Sequence, residues 1–181
     1  MANNPRKKNR LRRRFICALC VAVVGLTALA VFWMPVYWVV GDSMAEALRD
    51  GDVIAAVRGK AARGAIAVCE CGGRTLLGRI VALGGDTVLV SIDGAVLVNG
   101  RVLDELYLTE RAYGCCDLET PVTVPEGSVF ILSDNRAEAI DSRSSAVGCI
   151  PEAQVVGCVL ARVWPIQDFE LYLSIEQLWR A

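Results

Sequence analysis

The residue best suited to nucleophilic chemistry is Ser43, in the stretch Val40-Gly41-Asp42-Ser43-Met44. A serine hydroxyl is a weak nucleophile until an adjacent base takes its proton. The chain contains no histidine, so the base would have to be a lysine or a carboxylate. A lysine serves only if burial lowers its pKa toward neutrality. Lys7 and Lys8 lie before a long apolar run, and Lys60 is the one lysine after it, in the polar turn region 58–64. Asp42 and Glu46 are close in sequence, but a solvated carboxylate is a poor base for generating an alkoxide. Two further stretches draw notice: Gly78 to Asp86, with Gly84-Gly85-Asp86 after a strand, and Ser133-Asp134-Asn135-Arg136 followed by Asp141-Ser142-Arg143. Asp/Arg pairs make charge-assisted, bidentate contacts that rigidify loops. Each stretch also has a plain structural use: a polar end to an apolar segment, a turn, and a salt-bridged loop.

Metal chemistry is not expected. Six cysteines follow the apolar run, at 69, 71, 115, 116, 149 and 158. Cys-x-Cys plus Cys-Cys is not the closed spacing of a zinc site. Cys17 and Cys20 lie inside the run and behave as small apolar residues. No cofactor is implied.

The elements that must position Ser43 begin with that run. Phe15 to Val40 carries no charge, which is long enough to span a bilayer. Seven of the 19 basic residues precede it and no acidic residue does. The remaining 12 basic residues face all 20 acidic ones, so that part carries −8. A basic flank stays cytoplasmic, which predicts residues 1–14 inside, 15–40 as a single-pass anchor, and 41–181 as one domain outside the cytoplasm. Trp33, Tyr37 and Trp38 fit an interfacial belt and replace the small residues of a cleavage site. An acidic exported domain argues against nucleic-acid binding.

After the anchor the pattern is β. Strands are expected over 52–57, 65–68, 76–83, 87–92, 95–98, 101–103, 128–132 and 155–164. Asp93-Gly94 and Asn99-Gly100 between β-branched runs predict type I′ hairpins. Residues 106–123 are less regular, and 166–179 reads equally as strand or short helix. The fold class expected is mainly β: a single antiparallel unit with one N-terminal transmembrane helix.

Taken in order, these motifs resemble the type I signal peptidases of bacteria. The series is a basic flank and anchor, Gly-x-Ser-Met, Arg-x-x-x-x-Gly-Gly-Asp, then Asp-Asn-Arg with Asp-Ser-Arg. Val98-Asn99-Gly100, Asp104-Glu105-Leu106-Tyr107 and Arg162-Val163-Trp164-Pro165 add to it, and Arg143-Ser144-Ser145 ahead of Gly148-Cys149-Ile150 looks most like Gram-positive forms. The resemblance implies an antiparallel β fold at the outer membrane face and a serine endopeptidase that removes signal peptides after small residues. It implies a Ser–Lys dyad, with Ser43 as nucleophile, its backbone N–H in the oxyanion hole, and Gly41, Met44, Asp134, Asn135, Arg136, Asp141, Ser142 and Arg143 as oxyanion or scaffold residues.

The proton-transfer positions depart from that pattern. The family's lysine position is Gly78, its orienting serine is Ala139, its Pro-Thr after Ser-Met is Glu46-Ala47, and its glycine before Asp-Asn-Arg is Ser133. Gly78 is therefore expected beside Ser43 with a void where a lysine would run. Arg136 and Arg143 are expected to pair with Asp134, Asp141 or loop carbonyls. Two functions follow: a signal peptidase acting through Ser43 with a non-standard base, or a catalytically degenerate homologue that binds extended exported segments as a chaperone or assembly partner. Both have signal peptides or exported segments and the lipid bilayer as partners.

Overall fold

The computed structural model describes residues 5–59, 61–117, 121–137 and 140–172. The chain divides into two compact units, residues 1–35 and 36–181. The first is helix α1, Pro5–Trp33. Proline at its first position loses no hydrogen bond there, since that N–H has no helical partner anyway. Pro35 ends it, because it lacks an N–H and drives Met34 out of the helical region. The expected run 15–40 is therefore divided: α1 stops at Trp33 and Val36–Trp38 is a strand. The side chains described in α1 run from 12 to 29, and Phe15, Leu19, Val24 and Leu26 among them are exposed. Among the described residues no helix is long and apolar enough to cross a membrane.

The second unit is built from β1 (Val36–Trp38), β2 (Val53–Val57), β3 (Ile66–Cys71), β4 (Arg74–Leu83), β5 (Thr87–Val90), β6 (Val96–Val98), β7 (Arg101–Val102), β8 (Val122–Thr123), β9 (Ser128–Leu132), β10 (Ile150–Pro151), β11 (Val155–Trp164) and β12 (Glu170–Leu171). They form two sheets. The larger has the order β1-β2-β11-β3-β4-β9-β10 with β12 beside β11; the smaller has the order β7-β6-β5-β8. Every pairing is antiparallel.

The continuous apolar text of β3 is explained by burial on both faces. Ile66 and Val68 pack with Met44, Leu48 and Ile54. Ala67 and Cys69 pack on the other side with Ile80, Ile131 and Cys158. A third cluster joins Val81, Phe130 and Leu132 to the smaller sheet. Each fully buried aliphatic side chain contributes about 1.5–3 kcal/mol, so Met44 and Leu48, just beyond Ser43, pin that loop to the core.

The two expected hairpins differ. Asn99 and Gly100 both have positive φ, as type I′ requires. At the other, only Gly94 does. Its N–H bonds the Ser91 carbonyl, and the Ser91 N–H reaches Ala95. Asp93 instead accepts from the Ser91 hydroxyl and the Ala95 N–H. The carboxylate thus builds a longer loop, in which a glycine supplies the single left-handed residue.

Candidate active site

Ser43 lies in a tight turn between β1 and β2. Gly41 adopts φ +86°, a conformation that favours glycine, and its N–H donates to Asp50 Oδ1 at 2.8 Å. The turn closes through Ala45 N–H to the Asp42 carbonyl and Leu48 N–H to the Met44 carbonyl. Met44 is fully buried. The Ser43 N–H has no hydrogen-bond partner among the described residues.

The segment after β9 grips this turn. Asn135 N–H donates to the Ser43 carbonyl at 2.9 Å, and Asn135 Nδ2 to the Asp42 carbonyl at 3.2 Å. Asp134 N–H points at Met44 Sδ, 3.4 Å away. The grip is itself held by buried ions. Arg143 forms a bidentate pair with Asp141, at 2.9 and 2.8 Å, and donates to the Ala112 and Tyr113 carbonyls. Asp141 also accepts the Ser133 N–H, and Ser142 Oγ accepts the Ile131 N–H.

Arg136 meets a loop carbonyl as expected, but its anion partner is neither Asp134 nor Asp141. Its guanidinium reaches Glu105 at 2.5 Å and the Ser133 carbonyl at 2.8 Å, whereas Asp134 takes Arg79 in a bidentate contact. Tyr107 completes the assembly: its ring lies 4.1 Å from the Arg79 guanidinium and its hydroxyl donates to Glu105. Cation–π contact and desolvated ion pairing reinforce one another there. Burial alone would lower the Arg79 pKa, but the Asp134 contacts outweigh it and hold the group protonated. Arg79 is a donor and not a base. Glu105 and Tyr107 were visible in the sequence only as part of a family-like run, not as clamps on this turn.

Ser43 opens into a groove of about 450 Å³. Its walls are aliphatic, from Val40, Val68, Leu76, Leu77 and Ile140, with Trp38 at one side. The other polar side chains are the hydroxyls of Thr75 and Tyr37. Among the described residues no amine, imidazole or carboxylate lines it. Burial raises the Tyr37 phenol, with Arg58 opposing and Glu70 adding, so it stays protonated. Thr109 donates to Glu46, which spends that carboxylate on a loop contact.

One lateral edge of this groove is open backbone. β4 pairs with β3 from Arg74 to Arg79, but with β9 only from Arg79 onward. The outer edge of Arg74–Gly78 is therefore unpaired among the described residues. Gly78 itself is buried, and no void stands beside it: a β-carbon there would meet Ile131 Cδ1 at 2.8 Å and Ile131 Cβ at 3.1 Å. The expected cavity is filled because β9 turns a branched residue toward the glycine. Ser133 Oγ is buried with no partner among the described residues. Lys60 and Ala139 lie outside the described residues.

Residues 12–164 match the protein family described as signal peptidase, peptidase S26. A signal peptidase I of Bacillus licheniformis is 33% identical over 165 residues, covering 83% of this chain and 87% of that protein. A signal peptidase IB of Staphylococcus aureus is 29% identical, covering 90% and 94%. A signal peptidase I of Mycobacterium tuberculosis is 37% identical over 117 residues, and the match spans only 40% of that protein. A crystal structure of a signal peptidase I from Enterococcus faecalis has 31% identity, covers 55% of this chain and 97% of its own, and gives a TM-score of 0.47.

Proposed function

Since the chain belongs to the signal peptidase family, peptidase S26, we propose that its Ser43 groove receives extended segments of exported proteins and holds them without efficient cleavage. The observation that carries this is the meeting of Ser43 with the unpaired edge of β4 in one apolar groove. An extended segment adds to such an edge through main-chain hydrogen bonds, while alternate side chains enter pockets. The free N–H of Ser43 suits a carbonyl oxygen of that segment. What the groove lacks is a proton acceptor among its described lining groups. A serine without a base retains only the residual rate given by binding and oxyanion stabilisation.

The site belongs, on this reading, at the outer face of a membrane. The charge-free run from Phe15, the basic residues before it and the exposed apolar side chains of α1 support an N-in, single-pass anchor. The exposed Trp38 and Trp164, which flank Val53 on neighbouring strands, suit the interface.

A second reading, slow signal-peptide cleavage through Ser43 with a base outside the described residues, is favoured by the retained serine facing the groove. One experiment separates the two. The full chain and Ser43→Ala are incubated with a signal-peptide substrate, and both binding and cleavage are followed. Binding by both proteins with negligible cleavage supports holding; cleavage abolished by Ser43→Ala overturns it.

A further inference from the structure

The groove is aliphatic except for three hydroxyls, those of Tyr37, Ser43 and Thr75. None of the three makes a hydrogen bond to any described residue. Hydroxyls open to solvent hydrogen-bond to water. A segment seated there displaces that water, and a hydroxyl left covered but unpaired weakens binding. Ser43 faces the main chain of the segment on the reading above. Thr75 is exposed at the open edge of β4, where solvent still reaches it.

Tyr37 differs from both. Its ring is half-buried and packs against the cluster of Met44, Leu48 and Val68. Its backbone is held by the pairing with Ile54 on β2, and the ring's packing against that cluster limits its rotation. Arg58 and Glu70 act on the phenol by charge, but neither lines the groove.

We infer that Tyr37 makes the groove selective for exported segments that place a serine or threonine, in preference to alanine, against its hydroxyl. The inference rests on the binding reading proposed above and adds the class of segment. A small hydroxyl side chain fits where alanine fits and restores the bond that alanine leaves unmade. A site that hydrogen-bonds a hydroxyl discriminates against the analogue lacking it, whereas a purely apolar pocket barely distinguishes the two. An ordinary neutral hydrogen bond corresponds to about a two- to tenfold preference.

The test is a fluorescence-anisotropy binding scan with the full chain in detergent micelles. Labelled signal-sequence peptides carry alanine, serine, threonine or valine in turn at each position around the cleavage region. The expected result is one position at which serine or threonine binds three- to tenfold tighter than alanine, while valine gains nothing. In Tyr37→Phe the serine-to-alanine ratio at that position falls to within twofold; in Thr75→Val it persists. Absence of any such position, or a preference that survives in Tyr37→Phe, overturns the inference while leaving the groove a binding site. Failure of every peptide to bind the folded chain overturns the binding reading together with it.

Discussion

Ile131 Cδ1 stands 2.8 Å from the point at which Gly78 would carry a β-carbon. The strand that supplies Ile131 is the one that ends in the Ser133–Arg136 grip on Ser43, so neither backbone shifts easily. Gly78→Ala should therefore destabilise by overpacking, by about 1–3 kcal/mol. Adding Ile131→Val removes the closest atom and should restore part of the loss, a coupling that a double-mutant cycle in urea reads directly. Additive effects would mean the two residues do not compete for space.

The same contact bears on placing a lysine at position 78. Gly78→Lys with Ala139→Ser should give no cleavage of an alanine-rich signal-peptide substrate while Ile131 is intact. Combined with Ile131→Ala, it should give cleavage that rises with pH. The sign follows because only the neutral amine accepts the serine proton, and its fraction grows as pH approaches its pKa. Cleavage by the Ile131-containing protein would show that a lysine finds another path.

Arg143 is almost fully buried, and its guanidinium donates to Asp141 and to the Ala112 and Tyr113 carbonyls. Arg143→Ala leaves the Asp141 carboxylate uncompensated and should cost about 3–5 kcal/mol. Arg143→Lys should recover little, since a point charge cannot make the bidentate contact and reach the Ala112 and Tyr113 carbonyls together. Binding lost in Arg143→Ala with the melting temperature unchanged would instead place this residue in direct contact with the segment.

Burial pushes the Cys69 thiol from near 9 up to about 12, with the Cys158 and Cys71 thiols adding to it. The folded chain then keeps a proton that the unfolded chain releases. Stability from this group is intact below about pH 9 and is lost as pH rises toward 12. Cys69→Val should flatten the alkaline limb by about 2 kcal/mol near pH 10.5, read from urea midpoints. In the native protein, alkylation at pH 8 should modify the exposed Cys115 and spare Cys69. Early modification of Cys69 would show that β3 opens.

Ser133 Oγ is buried without a partner among the described residues. Ser133→Ala removes that hydroxyl while keeping the Ser133 N–H bond to Asp141. The variant should gain about 1 kcal/mol, measured as a higher melting temperature. A loss would mean that the hydroxyl is satisfied in solution, for which an ordered water is the physical candidate.

Strands and turns were legible wherever a local rule operates. The Asn99-Gly100 hairpin follows from two left-handed residues in a row, and β11 from a nearly continuous apolar run rich in valine. Strand β1 was not, because Val36–Trp38 continues an apolar run and only Pro35 marks the break. At the site, Ser43 and the Asp/Arg stretches could be picked out by type and spacing. The partner of Arg136 could not: Glu105 is 31 residues away in the chain, and nothing local chooses it over Asp134. Ile131 reads as one apolar residue among four in β9. Which of them faces Gly78 depends on the register between β4 and β9, which shifts between Ile80 and Ala82.

The buried ion pairs around the Ser43 turn join Arg79, Arg136 and Arg143 to Asp134, Glu105 and Asp141. Each cation is matched by an adjacent anion, so the assembly has no net charge and its potential falls off as a multipole. It fixes where the turn that carries Ser43 sits. Position 78 contributes no charge to this balance. What couples position 78 to the frame is packing against Ile131, on the strand that leads into the grip, and not the charge balance of the ion pairs.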